Sequence, residues 1–599
     1  MSQKEKNDKN KDKEEEEKNT YNYNKEINAL FKLPISYNPK KVNISSSIIS
    51  DLEFVKSIQE NETPIYKHIF SPTHCFGETT LDSFSEFYTT DKRFLKDTQK
   101  MLKIFKKNEK KMIEEEGNEN NFDFQHMLTL WQEIKGETSF CEKYLYIEWD
   151  FGKFLNTNAQ FLQAMSIYNI VSPLLSLFMP IFILVVPFFI IKLKGLDVTM
   201  NEYLDILKII ISNHAIGKIF TSFHEVDSSQ KIYLIISAAF YIFSIYQNIL
   251  TCIKFYSNTK KIHDYLFAFK KYIDYTIYKM NSYLAITQNF STYQSFHEDL
   301  SKHKYTLLLI KNKLDNISPF QLSLVKILEI GHILKCFYEI YDDKVYHDTL
   351  LYSFGFHGYL DNISGLSKHL YKSIHFAKFT KKNSTPNKKN IFRNAYYPTL
   401  INEKHVKNDT SLEKNIIITG PNASGKTTLL KTTLINTILS QQFGCGCFQS
   451  ASLVPFDFLH CYLNIPDTSG RDSLFQAEAR RCKEIIDCIH KYPNKTHFCI
   501  FDELYSGTNP EEATTSATAF MEYLVKYENV SCILTTHYIL MCKDLEKNKK
   551  IKNYHMQTIK ENDNLKYTYL LEEGISEIKG GFKVLADMNY PLEILSSNI

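Results

Sequence analysis

The chain has 599 residues, 23% of them charged, and its formal net charge is +3 at pH 7. This length is too great for one ordinary domain and predicts about three or four. The nearly balanced charge excludes a strongly basic or acidic protein and indicates no particular polyanionic partner. The 12 cysteines are scattered, and no pair has zinc-ligand spacing, which predicts buried thiols in a reducing compartment.

The N-terminal segment is almost entirely polar. Ser2 to Asn19 contains no apolar residue and carries charges of both signs. Such a segment buries too little surface to offset its ordering entropy, so we predict a disordered tail over 1–26 and no secretory signal. From 27 to 165, aromatic-rich and charged stretches alternate with helical spacing, which predicts an N-terminal helical region.

Two long apolar stretches follow, and they predict membrane segments within 166–254. The stretch 170–191 has 22 residues without a formal charge, and at about 1.5 Å per residue it matches the thickness of a bilayer core. Its prolines, Pro173, Pro180 and Pro187, lie seven apart, and proline is more frequent in membrane helices than in soluble ones. The second stretch, 232–253, is flanked by Lys231 and Lys254.

The topology of these two segments stays open at the level of sequence. The connection 192–231 contains several lysines, so it is not depleted in positive charge as a translocated loop should be. Its part 203–220 could lie along the interface as an amphipathic helix. The alternative interpretation is that both stretches are buried helices of a large all-helical domain.

The pattern changes after the second apolar stretch. Residues 255–389 have long helical spacing and end in a linker rich in lysine and asparagine, which predicts a helical core or lever-like domain. From 390 to 599, short β-rich runs alternate with helices. Apolar strands that are each followed by helical sequence predict a buried, mostly parallel sheet.

A glycine-rich loop follows the first of these strands. "GPNASGKTT" satisfies the pattern G-x-x-x-x-G-K-[ST] and lies between "NIIIT" and a helical stretch, as a phosphate-binding loop requires. We expect Lys426 to reach the β- and γ-phosphates and Thr427 to ligate Mg²⁺. The predicted nucleotide-binding loop consists of Gly420, Pro421, Asn422, Ala423, Ser424, Gly425, Lys426, Thr427 and Thr428.

Two later strands end in polar residues. "HFCIFDE" ends in Asp502 and Glu503, and "CILTTHY" reaches His537. An acid at the end of a buried strand can hold Mg²⁺, and a second acid beside it can polarise the attacking water. Ligands bind at the strand ends of open α/β sheets, so His537 could sense the γ-phosphate.

These motifs, in this order, resemble the ATPase domain of the MutS mismatch-repair family. The stretches that carry the resemblance are "GPNASGKTT", "GRDSLFQAEARR", "FDELYSGTN" and "TTHY", with "NAYYPTL" at the domain entry, where Tyr397 replaces the family's histidine. The resemblance covers about 390–599 well and 255–389 loosely. An ABC-type ATPase fits less well, because no Leu-Ser-Gly-Gly-Gln signature precedes Asp502. The expected fold is therefore an α/β P-loop NTPase domain of the MutS/ABC-like type, preceded by an all-α region with transmembrane helices.

The resemblance also implies roles for individual residues. It makes Asp502 the metal-side acid, Glu503 the catalytic base and His537 the sensor, with ATP and Mg²⁺ as cofactors. Ser473 falls on the family's signature serine, which contacts the nucleotide of the opposite subunit, so the resemblance implies a homodimer with sites completed in trans. The simpler interpretation is that Ser473 only caps the following helix. His405 falls where the family stacks an aromatic ring on adenine.

The family's mismatch-reading domain is not recognisable in this sequence. Its Phe-x-Glu pattern occurs at 223–225 and 296–298, and both are poor candidates, because one lies between the apolar stretches and the other in a helical run. Two hypotheses follow. The first is a membrane-tethered MutS-like ATPase, a dimeric nucleotide switch facing the cytosol, with DNA as a further partner. The alternative is a soluble cytoplasmic or nuclear mismatch-repair homologue that binds DNA and buries its apolar segments.

Overall fold

The computed structural model describes residues 23–59, 62–116, 122–195, 199–213, 227–320, 324–380, 390–463, 473–561, 564–578 and five single positions between 580 and 591. Most of the predicted N-terminal tail therefore lies outside the described residues. The chain divides into two compact units. The first contains Met1–Phe124, Lys279–His303 and Leu351–Ile599, and the second contains Gln125–Tyr278 and Lys304–Leu350.

Helices account for most of the chain before residue 370. In chain order they are α1 (Ser46–Asp51), α2 (Ile65–Phe70), α3 (Cys75–Phe84), α4 (Lys92–Glu116), α5 (Phe124–Lys135), α6 (Phe140–Tyr144), α7 (Ala159–Leu193), α8 (Met200–Asn213), α9 (Ser228–Thr287), α10 (Gln294–Asp315), α11 (Leu324–Asp342), α12 (Lys344–His369), α13 (Lys426–Phe443), α14 (Leu474–Lys491), α15 (Pro510–Leu524) and α16 (Ile539–Leu545). Residues 23–30 are also helical.

Within the described residues the strands belong to three sheets, all in the first unit. In chain order they are β1 (Lys41–Asn43), β2 (Phe87–Thr89), β3 (His375–Phe379), β4 (Ile391–Ala395), β5 (Asn408–Ser411), β6 (Asn415–Thr419), β7 (Cys445–Gly446), β8 (Ser450–Leu453), β9 (Phe458–Tyr462), β10 (His497–Asp502), β11 (Val530–Thr535), β12 (Ile551–Glu561) and β13 (Asn564–Glu573). The prediction that everything before the C-terminal domain is helical is wrong for β1, β2 and β3. These strands have three to five residues, too few to show a hydrophobic period.

The largest sheet has six strands in the order β13-β12-β6-β11-β10-β9. The pairs from β12 to β9 are parallel, and β13 lies antiparallel to β12 at one edge. Strands β6 and β11 are buried along their whole length, as strands covered on both faces must be. The mixed α/β organisation predicted for the C-terminal region is confirmed, and the carboxyl ends of β6, β10 and β11 meet at one edge of the sheet.

The N-terminal helices pack against this α/β region within the first unit. The phenol of Tyr66 donates a hydrogen bond to Gln442 Oε1 (3.1 Å), and Gln442 Nε2 donates to the carbonyl of Phe84 (2.7 Å). Gln441 Nε2 donates to the carbonyls of Thr89 and Phe456. Both glutamines are buried on α13, the helix that follows the glycine-rich loop. The position of that helix therefore depends partly on residues near the start of the chain.

The second unit contains the two apolar stretches. Two described helical segments are long and apolar enough to cross a membrane by length and composition alone, Ala159–Met179 and Lys231–Thr287. Only 22% and 6% of their most apolar windows are buried. The predicted spans 170–191 and 232–253 are thus helical, within α7 and α9, and their apolar side chains are largely exposed.

Candidate functional site

The glycine-rich loop connects β6 to α13 and uses backbone conformations that favour glycine. Gly420 and Gly425 have φ of 153° and 95°, and Ala423 has φ of 63°. A side chain at Gly425 would also meet the Tyr569 ring, whose Cδ1 lies 3.2 Å from the position of a Cβ. The loop ends at the N-terminus of α13, where unpaired backbone N–H groups and the helix dipole favour an anion.

Lys426 is the first residue of α13, and its side chain is buried beside the loop. Its Nζ donates to the carbonyls of Gly420 (3.1 Å) and Pro421 (3.2 Å), and lies 3.1 Å from His537 Nε2. Burial lowers the pKa of this ammonium, and the carboxylates of Glu503 and Asp502 oppose that effect. The lysine is therefore held next to the space where the loop's N–H groups converge.

Asp502 is clamped by two hydroxyl groups at the end of β10. Thr427 Oγ1 donates to its Oδ2 (2.9 Å), and Thr535 Oγ1 donates to its Oδ1. Thr535 lies opposite Asp502 in the parallel pairing of β10 with β11, so the sheet register sets this contact. A hydroxyl and a carboxylate are hard oxygen donors of the kind that Mg²⁺ prefers, so these residues fit the predicted metal.

Glu503 follows directly and has the left-handed conformation, with φ of 51°. Its N–H donates to the carbonyl of Thr535 (3.0 Å), and its Oε1 lies 2.9 Å from His537 Nε2. The hydrogen bond from His537 is the main reason that the pKa of Glu503 is lowered. Left-handed backbone at a residue other than glycine is strained and is common at functional sites. The structure therefore brings Lys426, Glu503 and His537 together.

A cavity of about 750 Å³ opens beside the loop. It is lined by the loop residues Asn422 to Thr428 together with Glu503, and by side chains such as Tyr396, His405 and Tyr569. His405 does line this cavity, but one face of its ring already stacks on Tyr396 (4.0 Å between centroids), and its Nδ1 bonds to carbonyls of its own loop.

Tyr569 also lines the cavity and is not among the site residues predicted from the sequence. It lies on β13 with φ of 60°, and about half of its surface is exposed. Asn408 fixes this part of the strand, because its Nδ2 donates to the Tyr569 carbonyl (2.9 Å) and its Oδ1 accepts from the N–H of Leu571 (2.8 Å). The alternation in "KYTYLL" indicates a strand but does not say which ring faces the loop.

Ser473 caps the N-terminus of α14. Its Oγ accepts from the N–H of Gln476 (3.3 Å), and the Gln476 side chain accepts from the Ser473 N–H (3.0 Å), which together form a capping box. The serine is exposed and does not line the cavity described above. The simpler interpretation of Ser473 is thus present in the structure, and a contact with a second subunit stays a prediction.

The same helix also holds the loop that follows Glu503. Glu478 of α14 is 2% exposed, and its carboxylate accepts hydrogen bonds from the backbone N–H groups of Ser506 and Gly507 and from the Ser506 hydroxyl. Three donors compensate for burying this charge. The motifs "GRDSLFQAEARR" and "FDELYSGTN" are therefore in direct contact.

The geometry defines a mixed α/β domain with a glycine-rich loop, a buried lysine and paired acids at the carboxyl ends of parallel strands. Residues 416–598 match the family model described as MutS domain V. The chain is 27% identical over 198 residues to the DNA mismatch repair protein Msh3 of Dictyostelium discoideum, covering 31% of this chain and 13% of that protein. It is 32% identical over 205 residues to MutS of Bacteroides fragilis, covering 33% and 23%.

A third relative, MutS of Pseudothermotoga lettingae, is 26% identical over 244 residues, or 40% of this chain and 29% of that protein. The matched segments thus span less than a third of each of these three relatives. Together these findings show that the C-terminal region is similar to MutS domain V and to the matching segments of MutS-family proteins, in agreement with the resemblance in the sequence. They give no support to a membrane tether, and the names of the relatives favour the alternative hypothesis of a DNA-repair homologue.

Thr535 provides a test of the clamp on Asp502. Thr535→Val keeps the volume but removes one of the two hydroxyl donors, and a hydrogen bond to a charged group contributes about 1.5–3 kcal/mol. We expect nucleotide binding to require roughly tenfold or more Mg²⁺, measured by titrating Mg²⁺ against a fluorescent ATP analogue. Thr437→Val, on α13, removes only a bond to its own helix and should leave the Mg²⁺ requirement unchanged. Equal Mg²⁺ curves for both variants would contradict the clamp.

Proposed function

We propose that the C-terminal region binds ATP with Mg²⁺ and hydrolyses it. The observation that carries this proposal is the convergence of three strand ends: the loop with Lys426 after β6, Asp502 and Glu503 at the end of β10, and His537 after β11. The MutS domain V match over 416–598 supports it independently. Bound Mg²⁺ would neutralise charge that develops on the transferred phosphate.

Each side chain has a distinct task in this proposal. Lys426 exchanges its two carbonyl acceptors for phosphate oxygens, a stronger, charge-assisted contact. Thr427 and Asp502 supply oxygen ligands to the metal. A glutamate carboxyl is ionised at neutral pH, and the hydrogen bond from His537 lowers the pKa of Glu503 further, so the carboxylate can orient a water molecule and accept its proton.

The cavity supplies the base-binding part of the site. Tyr569 presents an aromatic ring beside the loop, and Tyr396 and His405 form a stacked pair on the lining. Because His405 already stacks on Tyr396, we propose Tyr569 as the ring that packs on adenine, with His405 shaping the pocket. Tyr569→Ala should then weaken ATP binding, whereas Tyr569→Phe should not.

The direct test is binding and hydrolysis of ATP by the full chain. We expect a labelled ATP analogue to bind in the presence of Mg²⁺, and phosphate release to stop when EDTA removes the metal. Lys426→Ala should lose nucleotide affinity, and Lys414→Ala, at the residue just before β6, serves as its control. Failure to bind ATP at millimolar concentrations would refute the proposal.

The relatives bear the names of DNA mismatch repair proteins, and we propose that this chain too acts on DNA, as a homodimer. The Phe-x-Glu pattern at 296–298 lies within the described residues and does not support mismatch reading. Its Phe296 is fully buried and packs against Phe31 and Tyr283. The other pattern, 223–225, lies outside the described residues. Comparing the affinity for matched and mismatched duplexes, with and without ATP, tests this role, and equal weak binding to both would exclude mismatch recognition.

One observation favours a second candidate function, attachment to a bilayer. Within the second unit, polar groups of α7 and α9 face each other: Tyr241 donates to the Ser176 carbonyl (2.9 Å), and Asn248 Nδ2 donates to the Ser176 hydroxyl (2.5 Å). Large apolar side chains on both helices face outward, with Phe178 44% and Phe240 70% exposed. A pair of helices with polar groups between them and apolar side chains on the outside suits lipid rather than water.

If these helices are in a bilayer, with the ATPase domain on the cytosolic side, the protein should stay in the membrane pellet after carbonate extraction. Phe178→Lys with Phe240→Lys should move it to the supernatant, since a lysine at mid-membrane costs about 2.5–3.5 kcal/mol. Ile58→Lys changes an exposed apolar residue of the first unit, and this control variant should stay in the membrane pellet. If carbonate released the unaltered protein, bilayer attachment would be excluded and only the soluble DNA-repair hypothesis would remain.

A further inference from the structure

A group of metal-ligating side chains lies away from the nucleotide site. His460, Cys488 and His497 each offer one nitrogen or sulfur atom, and these three atoms lie within 4.8 Å of one another. His497 begins β10, whereas Asp502 ends it, so the two sites are about 16 Å apart along the strand at roughly 3.3 Å per residue.

The sheet register explains why the two histidines meet. His497 pairs with Phe458, and Cys499 pairs with His460, in the parallel ladder of β9 and β10. Side chains alternate along a strand, so His460 and His497 project from the same face of the sheet. Helix α14 covers this face, since its Cys482 and Ile485 share a core with Cys499. The same helix carries Cys488 to the pair.

The hydrogen bonds prepare His497 to act as a ligand. Its Nε2 donates to the Tyr492 carbonyl (3.3 Å), which leaves the lone pair of Nδ1 facing His460 Nε2 at 3.1 Å. Histidines that bind metals commonly donate their other N–H to a backbone carbonyl in this way. Two nitrogens bound tetrahedrally to Zn²⁺ would be about 3.3 Å apart, so the observed spacing is already close.

We propose that His460, His497 and Cys488 bind Zn²⁺ as three protein ligands, with water as the fourth, and that the ion fixes the end of α14 to β9 and β10. Zinc takes the place of the hydrogen that now joins the two imidazoles, and His460 moves its proton to Nδ1. The Cys488 thiol loses its proton to solvent, so one proton is released for each ion bound.

Burial affects the two imidazoles and the thiol in opposite ways, because it favours neutral imidazoles, which can bind a metal, and opposes ionisation of the thiol. Burial lowers the pKa of His460 to about 3, aided by His497 and Arg481, and burial also lowers the pKa of His497, so both rings are neutral at physiological pH. Burial raises the pKa of the Cys488 thiol, opposed by Lys491. Asp457 also faces His497, but its carboxylate accepts hydrogen bonds from Thr496.

The test loads the full chain, stripped with a chelator, with Co²⁺ and then with Zn²⁺. We expect one Co²⁺ per chain, tetrahedral visible absorption, and a thiolate-to-cobalt charge-transfer band that Zn²⁺ abolishes. Cys488→Ser should remove the charge-transfer band, and His460→Gln should weaken zinc binding by more than the roughly 10–100-fold typical of losing an outer-shell partner. Circular dichroism confirms that each variant is folded.

Two matched controls use the same residue types in the same unit. His490→Gln changes an exposed histidine on α14, and Cys75→Ser changes a partly exposed cysteine; neither should alter metal binding. If no Co²⁺ binds tetrahedrally, or if zinc binds equally to the Cys488, His460 and control variants, the three residues form only a hydrogen-bonded cluster and the proposal is wrong. Neither result depends on ATP.

Discussion

Replacing Glu503 by glutamine should leave ATP binding intact while hydrolysis falls by roughly 10²–10⁴-fold, the usual contribution of a positioned base. Glutamine retains an oxygen for the hydrogen bond from His537, so the neighbouring lysine and loop keep their places. Only the ability to accept a proton from water is lost. Phosphate release under single-turnover conditions measures the rate, and a fluorescent ATP analogue measures the affinity.

Two further variants distinguish a loss of hydrolysis from a loss of ATP binding. Lys426→Ala should lose affinity first, because it removes the charge next to the phosphates, and Glu511→Gln, in the first turn of α15, should match the unaltered protein in both measurements. If Glu503→Gln and Lys426→Ala showed the same binding defect and no separate loss of rate, the roles assigned to these two residues would be wrong.

The parts of the site that sequence predicts are those set by local chemistry. A glycine-rich loop between an apolar strand and a helix has few uses other than phosphate binding. The acids that follow the apolar stretch "HFCIF" must lie at the edge of a parallel sheet, because a buried strand ends there. Thr535 and Tyr569 could not be assigned in this way. Their contacts depend on which strands are neighbours and on which side of each strand faces the loop, and register is a tertiary property.

The same limit explains the His460, Cys488 and His497 cluster and the buried glutamines of α13. No two of the three ligands have the close spacing of a metal motif, because two strands and a helix bring them together. Gln441 and Gln442 are polar and would be expected at a surface, yet both are buried, and the backbone carbonyls of Thr89 and Phe84 in the N-terminal region accept their amide protons. Composition predicts neither arrangement.

For the apolar stretches, sequence predicts the helices but not their surroundings. Length and the absence of charge in 170–191 are sufficient for a long helix, and α7 includes it. The inward-facing Ser176, Tyr241 and Asn248 could be recognised only from the packing of two helices. In the sequence, an apolar stretch with a few polar residues has the same pattern whether water or lipid surrounds the helices.

For Ser473, experiment can separate the capping of its own helix from a contact with the partner subunit's nucleotide. The capping box shows that it stabilises the start of α14, and Ser473→Ala should cost about 1 kcal/mol for that reason alone. Aspartate caps helices as well as serine does, so Ser473→Asp should keep the stability. If the serine also contacts the partner subunit's nucleotide, the added negative charge should nevertheless abolish hydrolysis. Full activity of Ser473→Asp would leave the serine with its capping role only.

Mixing subunits then tests whether the site is completed in trans. Take Ser473→Ala and Lys426→Ala, each nearly inactive by itself in this scheme. A mixed dimer has one site with both defects and one with neither, so random pairing should restore about a quarter of the unaltered rate. Hydrolysis per subunit should also increase with protein concentration until dimers saturate. A mixture of Lys426→Ala with Glu503→Gln is the control, because both residues belong to the same subunit's half of the site and pairing them restores no complete site. If the Ser473→Ala mixture stayed as inactive as this control, Ser473 would act within its own chain.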